Sequence, residues 1–297
     1  MPSPQMSIVT VKNKVSNKIV ILRTIVELRE QISVWRKEGN SIGLVPTMGA
    51  LHAGHFSLVE QSKALTDRTV TTLFVNPKQF SLNEDLGVYP RDEGIDAAAL
   101  EARCVDLLFA PSVDEMYGDG FGTAVSVLDI GDLLEGVYRP GFFVGVATVV
   151  AKLLIQSLPD RAFFGEKDFQ QLSIIKRMVV DLNIPVEIIN CPTIREVDGL
   201  ALSSRNVYLS ELERENASAL YKGLNNISSK ILSGTPVSAA IQMAKKEIIN
   251  AGFDKVDYIA VCDAESLSEL ETVSGGARIL GAAWIGKTRL IDNIEIG

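Results

Sequence analysis

Two histidines stand three residues apart in the stretch PTMGALHAGH (residues 46–55), and the chain contains no others. Gly49 and Gly54 lie in the same stretch. A glycine-containing turn at the start of a helix presents unpaired backbone N–H groups that attract anions. Imidazoles can donate hydrogen bonds to phosphate oxygens without carrying a permanent charge. His52 and His55 therefore indicate a site for a nucleotide phosphate.

The histidine pair could also belong to a zinc site or serve the fold alone. The stretch has neither the G-x-x-x-x-G-K-[ST] pattern of a P-loop nor the G-x-G-x-x-G pattern of dinucleotide-binding folds. A zinc site would need a third ligand, and no further histidine exists to supply one. Histidines that cap a helix or pack in the core are the remaining alternative.

Two further segments carry residues suited to a nucleotide. In GEKD (residues 165–168), the ammonium group of Lys167 can bind phosphate oxygens, and Asp168 can accept hydrogen bonds from ribose hydroxyls. In LSSRN (residues 202–206), two hydroxyls accompany the planar donor fork of Arg205. The alternatives are a solvated surface lysine and helix-capping roles for the aspartate and the serines.

The first half of the chain alternates between strand-like and helix-like segments. The strand-like segments are NKIVIL, SIGLVP, RTVTTLFV, VDLLFAP and RAFFGE. Helical patterns of about ten to fifteen residues separate them, which favours right-handed βαβ crossovers and a parallel sheet. Loops at the carboxyl ends of such strands bind ligands, and the histidine pair follows SIGLVP.

The pattern changes near residue 185. Two helices with polar faces, SELERENASALYKGLNNISSKIL and TPVSAAIQMAKKEIINA, precede strands in KVDYIAVCD and ARILGAAWIG. We expect an α/β fold with a Rossmann-like doubly wound parallel sheet in residues 1–184. Residues 185–297 should form a smaller α+β domain that carries the Ser-Ser-Arg segment.

Composition and charge exclude several classes of protein. The net charge is −8 over 297 residues, without a cluster of Lys and Arg, which argues against a nucleic-acid partner. No apolar run approaches the roughly 18 residues of a membrane span, and no signal-peptide pattern begins the chain. The three cysteines are far apart. We expect a cytoplasmic globular protein.

The motifs taken together resemble the pantoate–β-alanine ligase (pantothenate synthetase) family of class I nucleotidyltransferases. In chain order, the matching strings are PTMGALHAGH, FVNPKQF, YPRD, LEG, RPG, FFGEKDFQQL, DGLALSSRNVYLS and RLIDN. His-x-Gly-His alone is shared by many nucleotidyltransferases. Its combination with GEKD and SSRN in this order is specific to the family.

This resemblance implies an ATP-dependent condensation of (R)-pantoate with β-alanine. Pantoate would attack the α-phosphate of ATP, releasing pyrophosphate and leaving a pantoyl adenylate. The amine of β-alanine would then displace AMP. Catalysis would come from alignment and charge stabilisation, since no covalent enzyme intermediate is required. The resemblance also implies Mg²⁺ and a homodimer. Because the two phosphate-binding segments lie on either side of the expected domain boundary, we expect the smaller domain to close over ATP and exclude water.

The resemblance carries roles to particular residues. His55 matches the residue usually assigned as proton donor, and His52 and Lys167 complete the catalytic set. The implied ATP-binding residues are Met48, Gly49, Ala50, Leu51, His52, Ala53, Gly54, His55, Gly165, Glu166, Lys167, Asp168, Ile194, Leu202, Ser203, Ser204 and Arg205. The implied substrate-binding residues are Gln79, Gln171, Asn76, Tyr89 and Arg139, and neutral amides suit the hydroxyls and carboxylate of pantoate.

The sequence departs from the family pattern at two places. Phe142 stands where many members have a histidine. Asp96 is the implied magnesium ligand, but Ile95 and Ala99 replace polar residues often found beside it. ATP phosphates and water would then hold most of the metal, and a solvated helix acid is the alternative for Asp96. Arg139 could instead be a structural turn residue.

Two other functions remain open at this point. Another His-x-Gly-His nucleotidyltransferase would also release pyrophosphate, but it would not need the pair of glutamines. A non-catalytic nucleotide-binding protein would have little reason to keep both phosphate-binding segments.

Overall fold

Six parallel strands form the larger of two sheets in the computed structural model, which describes residues 18–80, 85–87 and 92–296. The strands are β1 Val20–Leu22, β2 Ile42–Thr47, β3 Arg68–Leu73, β4 Leu107–Phe109, β5 Arg161–Gly165 and β6 Glu187–Cys191. Their order in the sheet is β1-β4-β3-β2-β5-β6. Strand order reverses at β2, which creates the crevice in which open α/β sheets bind ligands. The expected doubly wound sheet is confirmed.

Helices cover both faces of this sheet. They are α1 Ile25–Lys37, α2 Ala53–Leu65, α3 Glu93–Glu101, α4 Val113–Met116, α5 Glu135–Tyr138, α6 Phe142–Ser157 and α7 Phe169–Asp181. Neighbouring residues of a strand point to opposite faces. Leu44 therefore packs in the core that contains residues of α1, α6 and α7, whereas Val45 packs with residues of α2 and α3.

Three antiparallel strands form the second sheet, with three helices before them in the chain. The helices are α8 Glu211–Ala217, α9 Ala219–Leu232 and α10 Val237–Asn250, and the strands are β7 Lys255–Asp263, β8 Ala277–Ile285 and β9 Thr288–Glu295. Leu224, Ile248 and Ile279 share the core between them. The sequence patterns identified β7 and β8 but not β9, because Asp292 and Asn293 interrupt its apolar residues and are nevertheless buried.

The sixth strand of the larger sheet lies beyond the expected domain division at 184/185. Ala162 pairs with Ile188 and Phe164 pairs with Asn190 in a parallel register, so β5 and β6 belong to one sheet. The expected division would cut this sheet between two hydrogen-bonded strands. We propose residues 18–191 and 192–296 as the two domains.

Within 18–80, 85–87 and 92–296, no helix has both the length and the apolar character that a membrane span requires.

Candidate active site

A cavity of about 790 Å³ lies at the carboxyl ends of β2 and β5, between the two sheets. Of the residues singled out in the sequence, it is lined by Met48, His52, Gly54, His55, Gln79, Arg139, Gly165, Lys167, Asp168, Gln171, Ile194, Leu202, Ser203, Ser204 and Arg205. The structure therefore brings the histidine pair, the GEKD turn and the Ser-Ser-Arg segment to one space. The other expected residues, Gly49, Ala50, Leu51, Ala53, Glu166 and Asn76, lie outside the lining, and Tyr89 lies outside the described residues.

The two histidines cap helix α2 as well as lining the cavity. His52 Nδ1 accepts a hydrogen bond from Gly54 N at 3.1 Å, and His55 Nδ1 accepts one from His52 N at 3.3 Å. The two ring centroids are 4.1 Å apart. Because each Nδ1 is an acceptor, the proton of each neutral ring lies on Nε2. The capping alternative is correct, and it leaves both Nε2–H groups available as donors.

Burial keeps both imidazoles neutral. Desolvation, with the charge of Lys167, lowers the pKa of His52 to about 4, and the nearby Asp168 opposes this shift. Desolvation, followed by the charges of His52 and Lys167, lowers the pKa of His55 to about 3. In the ligand-free protein, both residues are therefore neutral hydrogen-bond donors at neutral pH.

We expect the two histidine resonances of the ligand-free protein to show no titration between pH 8 and about pH 5. Since folding lowers both pKa values, protonation favours the unfolded chain. The associated stability is present above about pH 6.5 and is lost as the pH falls toward 4 and below. NMR of Cε1–H and of the ring nitrogens gives both pKa values and the tautomer without assignment mutants, because the chain has only two histidines. A midpoint near 6.5 for either residue would contradict the expected burial.

Asp96 supports the backbone that precedes the histidines. Its Oδ2 accepts a hydrogen bond from Ala50 N and its Oδ1 accepts one from Leu51 N, each at 2.9 Å. Asp96 is 3% exposed. The loop needs this support because Gly49 (φ 91°) and Ala50 (φ 52°) both have left-handed backbone conformations.

The role of Asp96 as a magnesium ligand, which the family resemblance implied, stays a prediction. Both of its oxygens already accept backbone hydrogen bonds. In the part of the chain that the structure describes, no group of three His, Cys, Asp or Glu side chains is placed to hold a metal ion. The described residues therefore do not form a site in which the protein alone would hold a magnesium ion, and Asp96 supports the loop in this structure.

The GEKD turn follows β5 and is held by the smaller sheet. Asn293 Nδ2, on β9, donates hydrogen bonds to Glu166 O and to Lys167 O, each at 2.9 Å. Lys167 Nζ is 3.9 Å from Asp168 Oδ2, and the Lys167 side chain is largely buried. Asp168 makes no capping hydrogen bond with its side chain to α7, so the helix-cap interpretation is wrong. Lys167 thus places a cation beside the cavity at the junction of the two domains.

The Ser-Ser-Arg segment leads into a 3₁₀ turn over Ser204–Tyr208 and lines the same cavity. Ser203 Oγ accepts a hydrogen bond from Arg205 N at 3.3 Å, so the capping alternative holds for this serine. The base of the segment is fixed by Arg195, which donates to both carboxylate oxygens of Asp292 at 2.6 and 2.8 Å. Hydroxyl and guanidinium donors therefore face the cavity from the smaller domain.

A buried ion-pair network lines the cavity near Arg139 and was missed in the sequence. Arg289 Nη1 donates to the two carboxylate oxygens of Glu135 at 2.6 and 2.9 Å, and Nε donates to Asp257 Oδ2 at 2.7 Å. Glu135 and Arg289 lie in the strings LEG and RLIDN, which marked their positions but not their pairing. Asp257 had no sequence signal. The network joins α5 of the larger domain to β7 and β9.

The two glutamines expected to bind substrate both line the cavity, but Asn76 stands behind one of them. Asn76 Nδ2 donates a hydrogen bond to Gln79 Oε1 at 3.0 Å. Asn76 is 1% exposed. Asn76 therefore contacts Gln79 and does not line the cavity, so the structure does not support its direct contact with substrate.

Known sequences that resemble this chain include members of one family of ligases. The model of the pantoate–β-alanine ligase family matches residues 20–295. A pantothenate synthetase of Paramagnetospirillum magneticum is 53% identical over 281 residues, which covers 95% of this chain and 99% of that protein. Another, from Caulobacter vibrioides, is 51% identical and covers 94% of this chain and 99% of its own length.

Solved structures share the fold over nearly the whole chain. Pantothenate synthetase from Thermus thermophilus aligns with a TM-score of 0.89 at 44% identity, covering 94% of this chain and 99% of that one. Pantoate–β-alanine ligase from Francisella tularensis, complexed with beta-gamma ATP and β-alanine, aligns with a TM-score of 0.79 at 37% identity, covering 94% and 98%. This chain belongs to the pantoate–β-alanine ligase family.

Proposed function

We propose that this chain condenses (R)-pantoate with β-alanine at the expense of ATP, producing pantothenate, AMP and pyrophosphate through a pantoyl adenylate. The observation that carries the proposal is that the motifs this chain shares with the ligase family surround one cavity. Two neutral histidines, Lys167 and the Ser-Ser-Arg segment face that cavity together with Gln79 and Gln171. The Francisella tularensis ligase was solved with beta-gamma ATP and β-alanine, which supports ATP and β-alanine as ligands of this chain.

In the first step, a carboxylate oxygen of pantoate attacks the α-phosphorus of ATP. The new O–P bond forms as the bond from the α-phosphorus to the bridging oxygen breaks, and pyrophosphate leaves with the electron pair. Charge accumulates on the phosphate oxygens, where the Nε2–H groups of His52 and His55 and the ammonium of Lys167 donate. Because the histidines begin neutral, they act first as hydrogen-bond donors rather than as full acids.

In the second step, the amine of β-alanine attacks the carbonyl carbon of the adenylate. The C–N bond forms, the C–O bond to AMP breaks, and the amine loses a proton to solvent. The adenylate is a reactive mixed anhydride, so exclusion of water raises the yield of pantothenate. The Ser-Ser-Arg segment stands where it can cover the nucleotide during this step.

We also propose a metal ion, an oligomeric state and a cellular location for this protein, each suggested by the family. Magnesium would be held by the ATP phosphates and water, since Asp96 is committed to the backbone of the loop. The protein would act as a homodimer in the cytoplasm. Analytical ultracentrifugation tests the dimer, with a single species at the monomer mass as the result that would contradict it.

Product analysis tests the proposed reaction. The purified protein is incubated with Mg-ATP, pantoate and β-alanine, and each component is omitted in turn. We expect pantothenate, AMP and pyrophosphate in equal amounts only in the full mixture, with pantoyl adenylate bound to the protein when β-alanine is absent. Pyrophosphate formed without pantoate would indicate another nucleotidyltransferase. No turnover by a folded protein that binds ATP would indicate a nucleotide-binding protein.

A further inference from the structure

The side-chain amide of Asn76 uses its whole hydrogen-bonding capacity within the protein. Its Nδ2 donates to Gln79 Oε1 at 3.0 Å and to Gly145 O at 3.1 Å. Its Oδ1 accepts from Lys78 N at 3.2 Å and from the Tyr117 hydroxyl at 2.8 Å. A primary amide has two N–H donors and two acceptor lone pairs. Asn76 therefore has none left for a ligand.

The orientation of the Asn76 amide is fixed by backbone groups that cannot exchange roles. A backbone N–H only donates, so the atom facing Lys78 N must be the amide oxygen. A backbone carbonyl only accepts, so the atom facing Gly145 O must be the amide nitrogen. Gly145 also lets the turn that follows Asn76 pack closely on α6, because a Cβ there would lie 2.1 Å from Lys78 O. The same logic makes the Tyr117 hydroxyl a donor.

The fixed orientation of Asn76 determines the orientation of Gln79. Because Asn76 presents an N–H to it, Gln79 must present its carbonyl oxygen to Asn76. The amide nitrogen of Gln79 is then the end that turns toward the cavity, where Nε2 also lies 2.8 Å from Met48 Sδ. A thioether sulfur is a weak acceptor, and an amide nitrogen has a second proton. Gln79 thus offers a donor to the cavity.

Tyr117 lies on the far side of Asn76 and is itself held by its surroundings. Its ring packs edge-on against Phe121 with centroids 4.9 Å apart. The ammonium groups of Lys78 and Lys152 lie 5.1 and 5.9 Å from the Tyr117 ring centroid. Burial raises the pKa of Tyr117 to about 12, so its hydroxyl keeps the proton that Asn76 requires.

We propose that Tyr117 and Asn76 are positioning residues that hold Gln79 as a hydrogen-bond donor to an acceptor oxygen of pantoate. This inference rests on the proposed function, because it names how one residue of that site recognises its substrate. Gln171 differs from Gln79, since its side-chain amide has no hydrogen-bond partner among the described residues. The two glutamines therefore divide recognition between a pre-oriented donor and an adaptable amide.

The test compares Tyr117→Phe and Asn76→Asp with the parent protein in steady-state kinetics. Removal of the hydroxyl leaves a buried lone pair of Asn76 unpaired, and we expect KM for pantoate to rise about 3- to 10-fold. Asn76→Asp removes the N–H that faces Gln79, so the Gln79 amide turns its oxygen to the cavity. We expect that variant to raise KM for pantoate by about tenfold or more. KM for ATP should change much less than KM for pantoate in both variants, because Gln79 contacts the nucleotide loop through a weak acceptor, Met48 Sδ.

The matched control is Ser157→Ala, which deletes a buried hydroxyl at the end of α6 without touching Asn76. Ser157 Oγ donates to Leu153 O at 2.7 Å. We expect this variant to match Tyr117→Phe in thermal stability and the parent in KM for pantoate. An unchanged KM for pantoate in Tyr117→Phe, or equal increases in KM for pantoate and ATP, would overturn the inference. If Tyr117→Phe does not fold, Asn76→Asp decides by the same criteria. Failure of the proposed function is a separate result, seen as no pantothenate from the parent protein.

Discussion

Replacement of His55 by asparagine is expected to lower kcat by about 10²- to 10³-fold, the usual cost of losing one donor that stabilises transition-state charge. Asparagine Oδ1 can take the place of the imidazole Nδ1 and accept the hydrogen bond from His52 N. It does not reach far enough to replace the Nε2–H group. The variant therefore keeps the helix cap and loses the donor to the phosphates. The rate of AMP formation at saturating substrate concentrations measures the loss of kcat, and thermal unfolding measures whether the helix cap is kept.

The complementary variant, His55→Gln, separates the two roles of this residue. Glutamine extends an amide toward the position of Nε2 but cannot easily restore the short contact of Nδ1 with the backbone. We expect it to retain more activity than His55→Asn and to lose more stability, by about 1 kcal/mol. If His55→Asn were as active as the parent, the histidine would be a capping residue only.

Replacement of Asp96 by alanine is expected to reduce the free energy of unfolding by about 2–4 kcal/mol and to raise KM for ATP at least about tenfold. The buried N–H groups of Ala50 and Leu51 would lose their acceptor. Gly49 and Ala50 would then relax from their left-handed conformations, and the loop before His52 would lose its shape. Urea unfolding and ATP kinetics measure the two effects.

The matched control for this experiment is Asp92→Ala, at the start of the same helix. Asp92 Oδ1 accepts a hydrogen bond from Ile95 N at 3.0 Å and caps α3 without touching the loop. We expect it to cost about 1 kcal/mol of stability and to leave KM for ATP unchanged. Excess Mg²⁺ should not restore KM for ATP in Asp96→Ala. Restoration by Mg²⁺ would instead return Asp96 to the role of metal ligand.

The parts of the site that follow one another closely in the chain could be predicted from the sequence. The loop between β2 and α2 could be recognised because its glycines and histidines lie within ten residues of a buried strand. Lys167 and Arg205 could be recognised in the same way, from their neighbours. In each case, the side chains that can bind phosphate lie in the same short segment as the residues that indicate a turn.

The parts that depend on distant contacts could not be predicted. Asp96 holds a loop that lies 46 residues earlier in the chain, and its position in a helix gives no sign of this. Tyr117 reaches Asn76 across 41 residues. Strand β9 was missed because buried Asp292 and Asn293 look like surface residues until their partners Arg195 and Arg278 are placed. Buried polar residues of this kind are explained only by tertiary structure.

Hydrogen bonds from strand β9 to the larger domain limit which part of the protein can move when products leave. Its amide joins β9 to the backbone of Glu166 and Lys167, and Arg289 joins the same strand to Glu135. Movement of the whole smaller domain would break these buried bonds together, each at a cost of about 1–3 kcal/mol. We therefore expect the segment at residues 198–210, rather than the whole smaller domain, to open when products leave, on the microsecond-to-second timescale of lid opening. Pyrophosphate and AMP would then depart while Asn293 and Arg289 keep the two domains joined.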